Sequence, residues 1–268
     1  MCRLVIYKGV SLPISKLVLD PPHSLFKQSY EADEMLSGRL NADGFGFGWY
    51  VPSLDPAPAV YTNTLPIWHD VNVPRMMNKI SSELFFAHVR GASDGMPVTS
   101  TNTHPFCYRN FLFMHNGAID HFRTRIFPAI APDIHAPLWD HIKGNTDSEH
   151  VFGLWLSFLN AANKATFTLS EQVTALRKTI SHLEIIAKKN KIDMVLNIGI
   201  SDGTNVIALR HHFGNRKATL YYIDESAVFT GAKIIASEKL NDEKNWKTVP
   251  ERSFVTIDSN NALAILPL

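Results

Sequence analysis

The sequence predicts one α+β domain, and three observations carry that expectation. Strand-like runs fill the first 120 residues, two helical stretches follow, and strand-like runs return towards the end. The regular strand–helix alternation of a parallel sheet is missing, which favours antiparallel sheets covered by helices. Among the 268 residues, 45% are hydrophobic and 19% charged, with no repeat or low-complexity linker, so a sizeable core is expected over a single domain, residues 1–268.

Taken in order, residues 2–7, 44–51, 83–90 and 111–116 are short apolar or alternating runs between turn residues, and each predicts a strand. Residues 13–30 carry three prolines in a mixed pattern and predict short helical turns and loop. Residues 55–58 predict a turn. From Val151 to Leu159 apolar residues lie almost all round a helix, whereas Leu169, Val173, Leu176, Ile180 and Leu183 recur every three or four positions. Two helices are expected, the first more deeply buried. Strands are predicted again at residues 194–200, 205–211, 219–223, 232–236, 254–257 and 262–266.

Composition excludes several functions. With 26 Lys+Arg against 25 Asp+Glu, the net charge of +1 argues against a broad footprint for nucleic acid or an anionic membrane. No run reaches the 18 or so apolar residues that cross a bilayer. Only residues 4–7 are apolar before Lys8, too short for a secretory signal, so a cytoplasmic protein is expected. Two cysteines, Cys2 and Cys107, make neither a disulfide framework nor a four-thiolate zinc site. The run Gly44-Phe45-Gly46-Phe47-Gly48 lacks dinucleotide-loop spacing and no phosphate-binding loop motif occurs, so no cofactor is expected.

Chemistry concentrates in four places. Cys2 follows the initiator Met, whose removal would leave a thiol and a free α-amine on one residue, with about matched pKa values for proton exchange. Ala87-His88-Val89-Arg90 and His115-Asn116-Gly117 end predicted strands, and Thr146-Asp147-Ser148-Glu149 opens the helix at 151. An arginine can clamp an α-carboxylate, an aspartate can pair with an α-ammonium, and an Asn amide beside a Gly N–H offers two donors to an oxyanion. Together with a thiol, these describe acyl transfer from a substrate with an amino-acid head. Each segment also has a plain structural explanation: a half-buried strand for His88 and Arg90, an Asn-Gly turn for 116–117, and a capping box for Thr146 and Glu149. Thr168-x-x-Glu171 is a second such box, with no aspartate in second place, and capping leaves Asp147 unassigned.

Cys2, Asn41-Ala42-Asp43-Gly44-Phe45-Gly46, Ala87-His88-Val89-Arg90, Asn102-Thr103-His104-Pro105-Phe106, His115-Asn116-Gly117, Thr146-Asp147-Ser148-Glu149 and Ala236-Ser237-Glu238 together resemble the class II glutamine amidotransferases, a group of N-terminal nucleophile hydrolases. The order of motifs is kept over nearly the whole chain, which is most similar to the small stand-alone members, such as the ergothioneine-pathway γ-glutamyl hydrolase and related amidotransferase-like proteins. The resemblance implies a four-layer αββα sandwich of two antiparallel sheets. It implies that Cys2 attacks a γ-glutamyl amide and forms a glutamyl thioester, with Asn116 and the Gly117 N–H at the oxyanion. Arg90 would hold the α-carboxylate and Asp147 the α-ammonium, while His104 and Asp43 line or brace the pocket. Large synthases of the class continue Cys-Gly, whereas Arg3 follows Cys2 here. That departure, and a chain ending soon after the last strand, favours hydrolysis of a small γ-glutamyl substrate over ammonia channelling. A separate acceptor or partner subunit, a homo-oligomer, and a non-catalytic γ-glutamyl-binding module stay open. No metal is implied, and His88 and His115 are expected as hydrogen-bonding core or pocket-wall residues.

Overall fold

The computed structural model describes residues 2–35, 40–93 and 95–268. The first half runs β1 (Arg3–Pro13), α1 (Ser15–Val18), α2 (Leu25–Gln28), β2 (Phe45–Val51), β3 (Asp55–Asn63), α3 (Val73–Met77), β4 (Ser81–Val89), β5 (Phe106–Tyr108) and β6 (Phe111–Ile119). The second runs α4 (Phe127–Ile130), α5 (Asp147–Phe158), α6 (Leu169–Asn190), β7 (Met194–Ser201), β8 (Val206–Phe213), β9 (Tyr221–Ile223), β10 (Lys233–Ala236), β11 (Lys247–Thr248), β12 (Ser253–Ile257) and β13 (Leu263–Pro267).

Two antiparallel sheets result, one ordered β11-β9-β10-β1-β4-β2-β3 and the other β13-β12-β8-β7-β6-β5. The period of two along each strand decides the layering. Leu4 and Ile6 of β1 and Leu84 and Phe86 of β4 turn inward to meet Leu112, Met114, Ala208 and Val255 between the sheets. Their neighbours Val5, Tyr7, Phe85 and Ala87 turn outward onto Leu17, Val18, Leu25 and Val73 of the short helices. On the far side Phe111, Phe113, Leu196 and Ile198 pack against α5 and α6 through Val151, Trp155, Leu176 and Ile180. The layers are therefore helix, sheet, sheet, helix, the fold class expected. Strands buried on both faces explain why their sequences are continuous apolar runs rather than alternating ones.

The two central helices differ as their periodicities predict. Ten consecutive residues of α5, Ser148 to Ser157, are buried, whereas α6 buries one face only. Residues 55–58 correct the expectation of a turn: the turn is at 52–54, and Pro56 and Pro58 lie in β3. That strand is the edge of its sheet, where a missing N–H costs no ladder hydrogen bond. Asn116 and Gly117 likewise are not a turn but lie inside β6, opposite Asn197 and Leu196 of β7. No helix among the described residues is long and apolar enough to cross a membrane.

Candidate active site

Register brings the first candidates together. Arg3 of β1 pairs with Val89 of β4, so the residue before one meets the residue after the other, Cys2 beside Arg90. Cys2 is 7% exposed, and its Sγ lies 3.7 Å from the Gly91 carbonyl oxygen, to which it donates. Burial pushes the thiol up, against opposing pulls that include the Gly91 carbonyl contact and the charges of Arg90 and Arg3. Burial thus favours the protonated thiol.

Arg90 is 3% exposed. Its main-chain N–H donates to the Gly44 carbonyl at 2.8 Å. Its guanidinium donates to the carbonyls of Pro97 at 3.2 Å and Asp43 at 3.4 Å. Among the described residues no carboxylate forms an ion pair with it. Asp43 holds the adjoining turn instead: its Oδ2 accepts from the Ala92 N–H at 2.8 Å, and its own N–H donates to the Arg90 carbonyl at 2.9 Å. Burial lowers the Arg90 pKa, while the charges of Cys2, Asp43 and Asp147 favour its cation.

Asn116 is wholly buried, and its Nδ2 donates to Ser237 Oγ at 3.0 Å. Gly117 is required where it stands, because a Cβ there would fall 1.8 Å from the Val195 carbonyl oxygen. Asp147 opens α5; its Oδ2 accepts from the Ile119 N–H at 2.9 Å and its Oδ1 from the Ser148 N–H at 2.7 Å. The helix start is thereby tied to the end of β6. His115 continues this chain of contacts, with Nδ1 2.9 Å from Ser148 Oγ and Nε2 2.9 Å from the Val195 carbonyl oxygen. A carbonyl can only accept, so His115 Nε2 donates to Val195, while the Ser148 hydroxyl that meets Nδ1 also lies 3.2 Å from Asp147 Oδ1.

A cleft of about 640 Å³ joins these elements. Residues 91–93 and Met96 form one wall, residues 117–124 another, and Asp147 and Arg216 complete the lining. Arg123 and the Arg216–Asp120 ion pair, 2.5 Å long, lie beyond the glycine. Of the residues singled out from the sequence, Gly117 and Asp147 line this cleft, whereas Cys2, Asp43, Arg90, His104 and Asn116 are not among its lining residues. His104 is 3% exposed, with its ring 4.3 Å from that of His88 and 4.6 Å from that of Phe106. Burial drives His88 down to about 3 and His104 well below the ordinary range, so both are neutral rings under the Arg90 strand.

A second set of contacts stands behind the thiol. Arg3, 1% exposed, donates from Nη1 to the Cys2 carbonyl at 2.7 Å and from Nε to Glu238 Oε1 at 2.5 Å. Glu238 also accepts from His23 Nε2 at 2.6 Å and from the N–H groups of Asp33 and Glu34, each at 3.0 Å. Burial alone would raise the Glu238 pKa, but His23, Arg3 and the two N–H groups hold it down at about 2. Sequence inspection singled out Ser237 and Glu238 as motif residues and Arg3 as a departure, without a role for any of them; His23 carried no signal. His23, Asp33 and Glu238 offer three donor atoms within 4.8 Å of one another, yet the Glu238 oxygens are already taken by four donors, which leaves little capacity for a cation. Met1, whose removal is expected from the sequence, lies outside the described residues.

Residues 28–265 match the family model described as glutamine amidotransferases class-II. The probable glutamine amidotransferase DUG3 of Saccharomyces cerevisiae is 30% identical over 98% of this chain and 83% of its own length. The γ-glutamyl-hercynylcysteine sulfoxide hydrolase of Mycobacterium tuberculosis is 27% identical over 96% of this chain and 93% of its own. Among solved structures, a glutamine aminotransferase class-II domain protein from Silicibacter pomeroyi superposes with a TM-score of 0.71 at 23% identity, covering 99% of this chain and 98% of that one. The glutamine phosphoribosylpyrophosphate amidotransferase from B. subtilis shares the fold with a TM-score of 0.61 at 15% identity, over all of this chain and 49% of the larger one. A buried thiol at position 2, two facing antiparallel sheets and a family match over most of the length lead to one conclusion: the chain is an enzyme of the class II glutamine amidotransferase family, with the N-terminal nucleophile amidohydrolase fold.

Proposed function

We propose that this chain hydrolyses the amide bond of a γ-glutamyl compound, glutamine or a larger one, and releases glutamate. The observation that carries the reading is a buried cation without a carboxylate partner among the described residues, Arg90, beside a buried thiol that meets Gly91 at the edge of the cleft, with Asp147 in the cleft lining. Those charges complement the two ends of a glutamate zwitterion.

In this reading Cys2 Sγ attacks the γ-carbonyl carbon, a carbon–sulfur bond forms and the carbonyl electrons move onto oxygen. The thiol proton passes to the α-amine of Cys2, free once Met1 is removed and of ordinary pKa about 7.7–8.0. Asn116 and the Gly117 N–H donate to the oxyanion; Asn116 has a second amide hydrogen beyond the one held by Ser237. The tetrahedral centre collapses, the carbon–nitrogen bond breaks and the leaving amine takes the proton. Water then attacks the glutamyl thioester, which frees glutamate and restores the thiol. Arg90 binds the α-carboxylate and Asp147 the α-ammonium, while Asp43 holds the Arg90 turn and the neutral His104 packs on His88 of the strand that precedes Arg90.

The mycobacterial relative is named for hydrolysis of a γ-glutamyl compound, which supports this substrate class. The yeast relative is named a probable glutamine amidotransferase, which favours a second reading, delivery of ammonia or a glutamyl group to a separate acceptor protein. Glutamate release is to be followed on purified protein with glutamine, glutathione and other γ-glutamyl compounds, beside Cys2→Ala. Turnover by the wild type alone, lost in Cys2→Ala, is the expected result, with a glutamyl adduct on Cys2 in quenched samples. Equal release by both proteins overturns the reading; release only on addition of an acceptor protein selects the second.

A further inference from the structure

Two residues that follow β10 touch both halves of the candidate catalytic apparatus, and no role has been given to either. Ser237 is wholly buried and held in place from three sides: its N–H donates to the Leu4 carbonyl at 3.0 Å, its carbonyl accepts from Thr219 Oγ1 at 2.9 Å, and its Oγ accepts from the Leu4 N–H at 3.0 Å. The same Oγ receives the Asn116 amide. Glu238, 1% exposed, holds Arg3, which in turn holds the Cys2 carbonyl. The chain separations are long: 121 residues from Asn116 to Ser237 and 235 from Arg3 to Glu238.

We propose that Ser237 and Glu238 form a positioning clamp, in which the serine hydroxyl sets the rotation of the Asn116 amide and the carboxylate, through Arg3, sets the carbonyl and hence the backbone of Cys2. The inference rests on the functional reading above. An amide held by one hydrogen keeps its second hydrogen pointing in a fixed direction, and a donor aimed in advance at a developing oxyanion needs no reorganisation during reaction. Arg3 is suited to its part because a guanidinium presents donors in a rigid fork, so one side chain bridges Glu238 and the Cys2 carbonyl simultaneously. Lysine, with one nitrogen at the end of a flexible stem, cannot hold both in that geometry. Ser237 reaches the apparatus through the Asn116 amide and Glu238 through Arg3 and the Cys2 carbonyl, so the clamp acts through Asn116 and Cys2.

The test uses Ser237→Ala, Glu238→Gln and Arg3→Lys in the full chain, with two readouts. Steady-state kinetics should show kcat reduced on the order of 10–10²-fold, as expected for misplaced reacting groups, with KM within about twofold because Arg90 and Asp147 are untouched. The rate of Cys2 alkylation by iodoacetamide, measured against pH, should shift in Glu238→Gln and Arg3→Lys and shift less in Ser237→Ala, whose lost hydroxyl held the Asn116 amide and the Leu4 N–H but makes no contact with Cys2. Variants that melt at lower temperature yet keep wild-type kcat and alkylation profiles would show a purely structural pair and overturn the clamp. Should one variant fail to fold, the others decide. If the wild type releases no glutamate from any γ-glutamyl compound, the functional reading falls, while the alkylation profiles still decide whether Glu238 and Arg3 position the thiol.

Discussion

The starts of α5 and α6 carry the same four-residue signature, and the structure uses it in two ways. At α6 the box closes: Thr168 Oγ1 accepts from the Glu171 N–H at 3.2 Å, and Glu171 Oε2 accepts from the Thr168 N–H at 2.8 Å. At α5 only half of it forms. Thr146 Oγ1 accepts from the Glu149 N–H at 3.2 Å, but the Glu149 carboxylate turns away to accept from the N–H groups of Lys143 at 2.8 Å and Gly144 at 2.7 Å. The aspartate between them spans to the Ile119 N–H. An exposed helix end uses its acid to satisfy itself, whereas a helix end aimed at a cleft uses its acids to hold neighbouring segments.

The contrast breaks most sharply at Asp147. Asparagine in its place keeps an oxygen for the Ile119 N–H but loses the charge that would pair with an α-ammonium. A charge-assisted hydrogen bond of about 1.5–3 kcal/mol corresponds to a fall in kcat/KM on the order of 10–10²-fold, carried mainly by KM. The measurement is glutamate release on the compound turned over fastest, with circular dichroism to confirm the fold. Unchanged KM in Asp147→Asn would return this residue to a capping role and make the two helix starts equivalent.

The two glutamates should also respond to pH with opposite sign. Burial raises Glu149 above the ordinary 4.5, although the Lys143 and Gly144 N–H groups pull it down. Its contribution is fully present below pH 4.5 and is lost as pH rises through the raised value. Glu171 is held at about 2, first by the Lys164 ammonium and then by the Thr168 N–H and hydroxyl. Its contribution is present above 4.5 and is lost as pH falls towards about 2. Glu149→Gln leaves a buried N–H facing an amide and should cost about 1–3 kcal/mol, a penalty that shrinks above pH 4.5. The penalty of Glu171→Gln should instead shrink as pH falls below 4.5. Urea midpoints for both variants and the wild type across this range measure it, and parallel curves would show that the two sites do not differ electrostatically.

How much was legible follows from the range of the forces involved. The strands were legible because both faces are buried, so apolar side chains run without a break, and α6 because its one buried face repeats every three or four residues. Asp147 stood out because local capping left it unexplained. Asn116-Gly117 was ambiguous, since the same dipeptide suits a turn; only its register against β7 and the Val195 carbonyl show why glycine is needed inside a strand. The two boxes could not be told apart locally, because what diverts Glu149 is the tertiary placement of Lys143 and Gly144. The Arg3–Glu238–His23 contacts were out of reach for the same reason: His23 and Glu238 are 215 residues apart, and no spacing rule joins them.

The smallest effect is the control for the comparison. Thr168→Ala removes the hydroxyl that accepts from the Glu171 N–H, and the lost cap should destabilise the protein by about 1 kcal/mol. A helix end that serves only itself predicts no change in kcat or KM, since Thr168 and Glu171 are absent from the cleft lining. Thr146→Ala removes the equivalent hydroxyl at α5, with a similar direct loss of stability. There, however, the first turn also carries Asp147, so KM should rise as that turn loosens. The pair of alanine variants therefore separates the two roles in one experiment: equal unfolding midpoints with unequal KM sustain the division of labour between the helices. A KM that moves equally in both would mean that the second helix start also reaches the site, through the packing of α6 on α5.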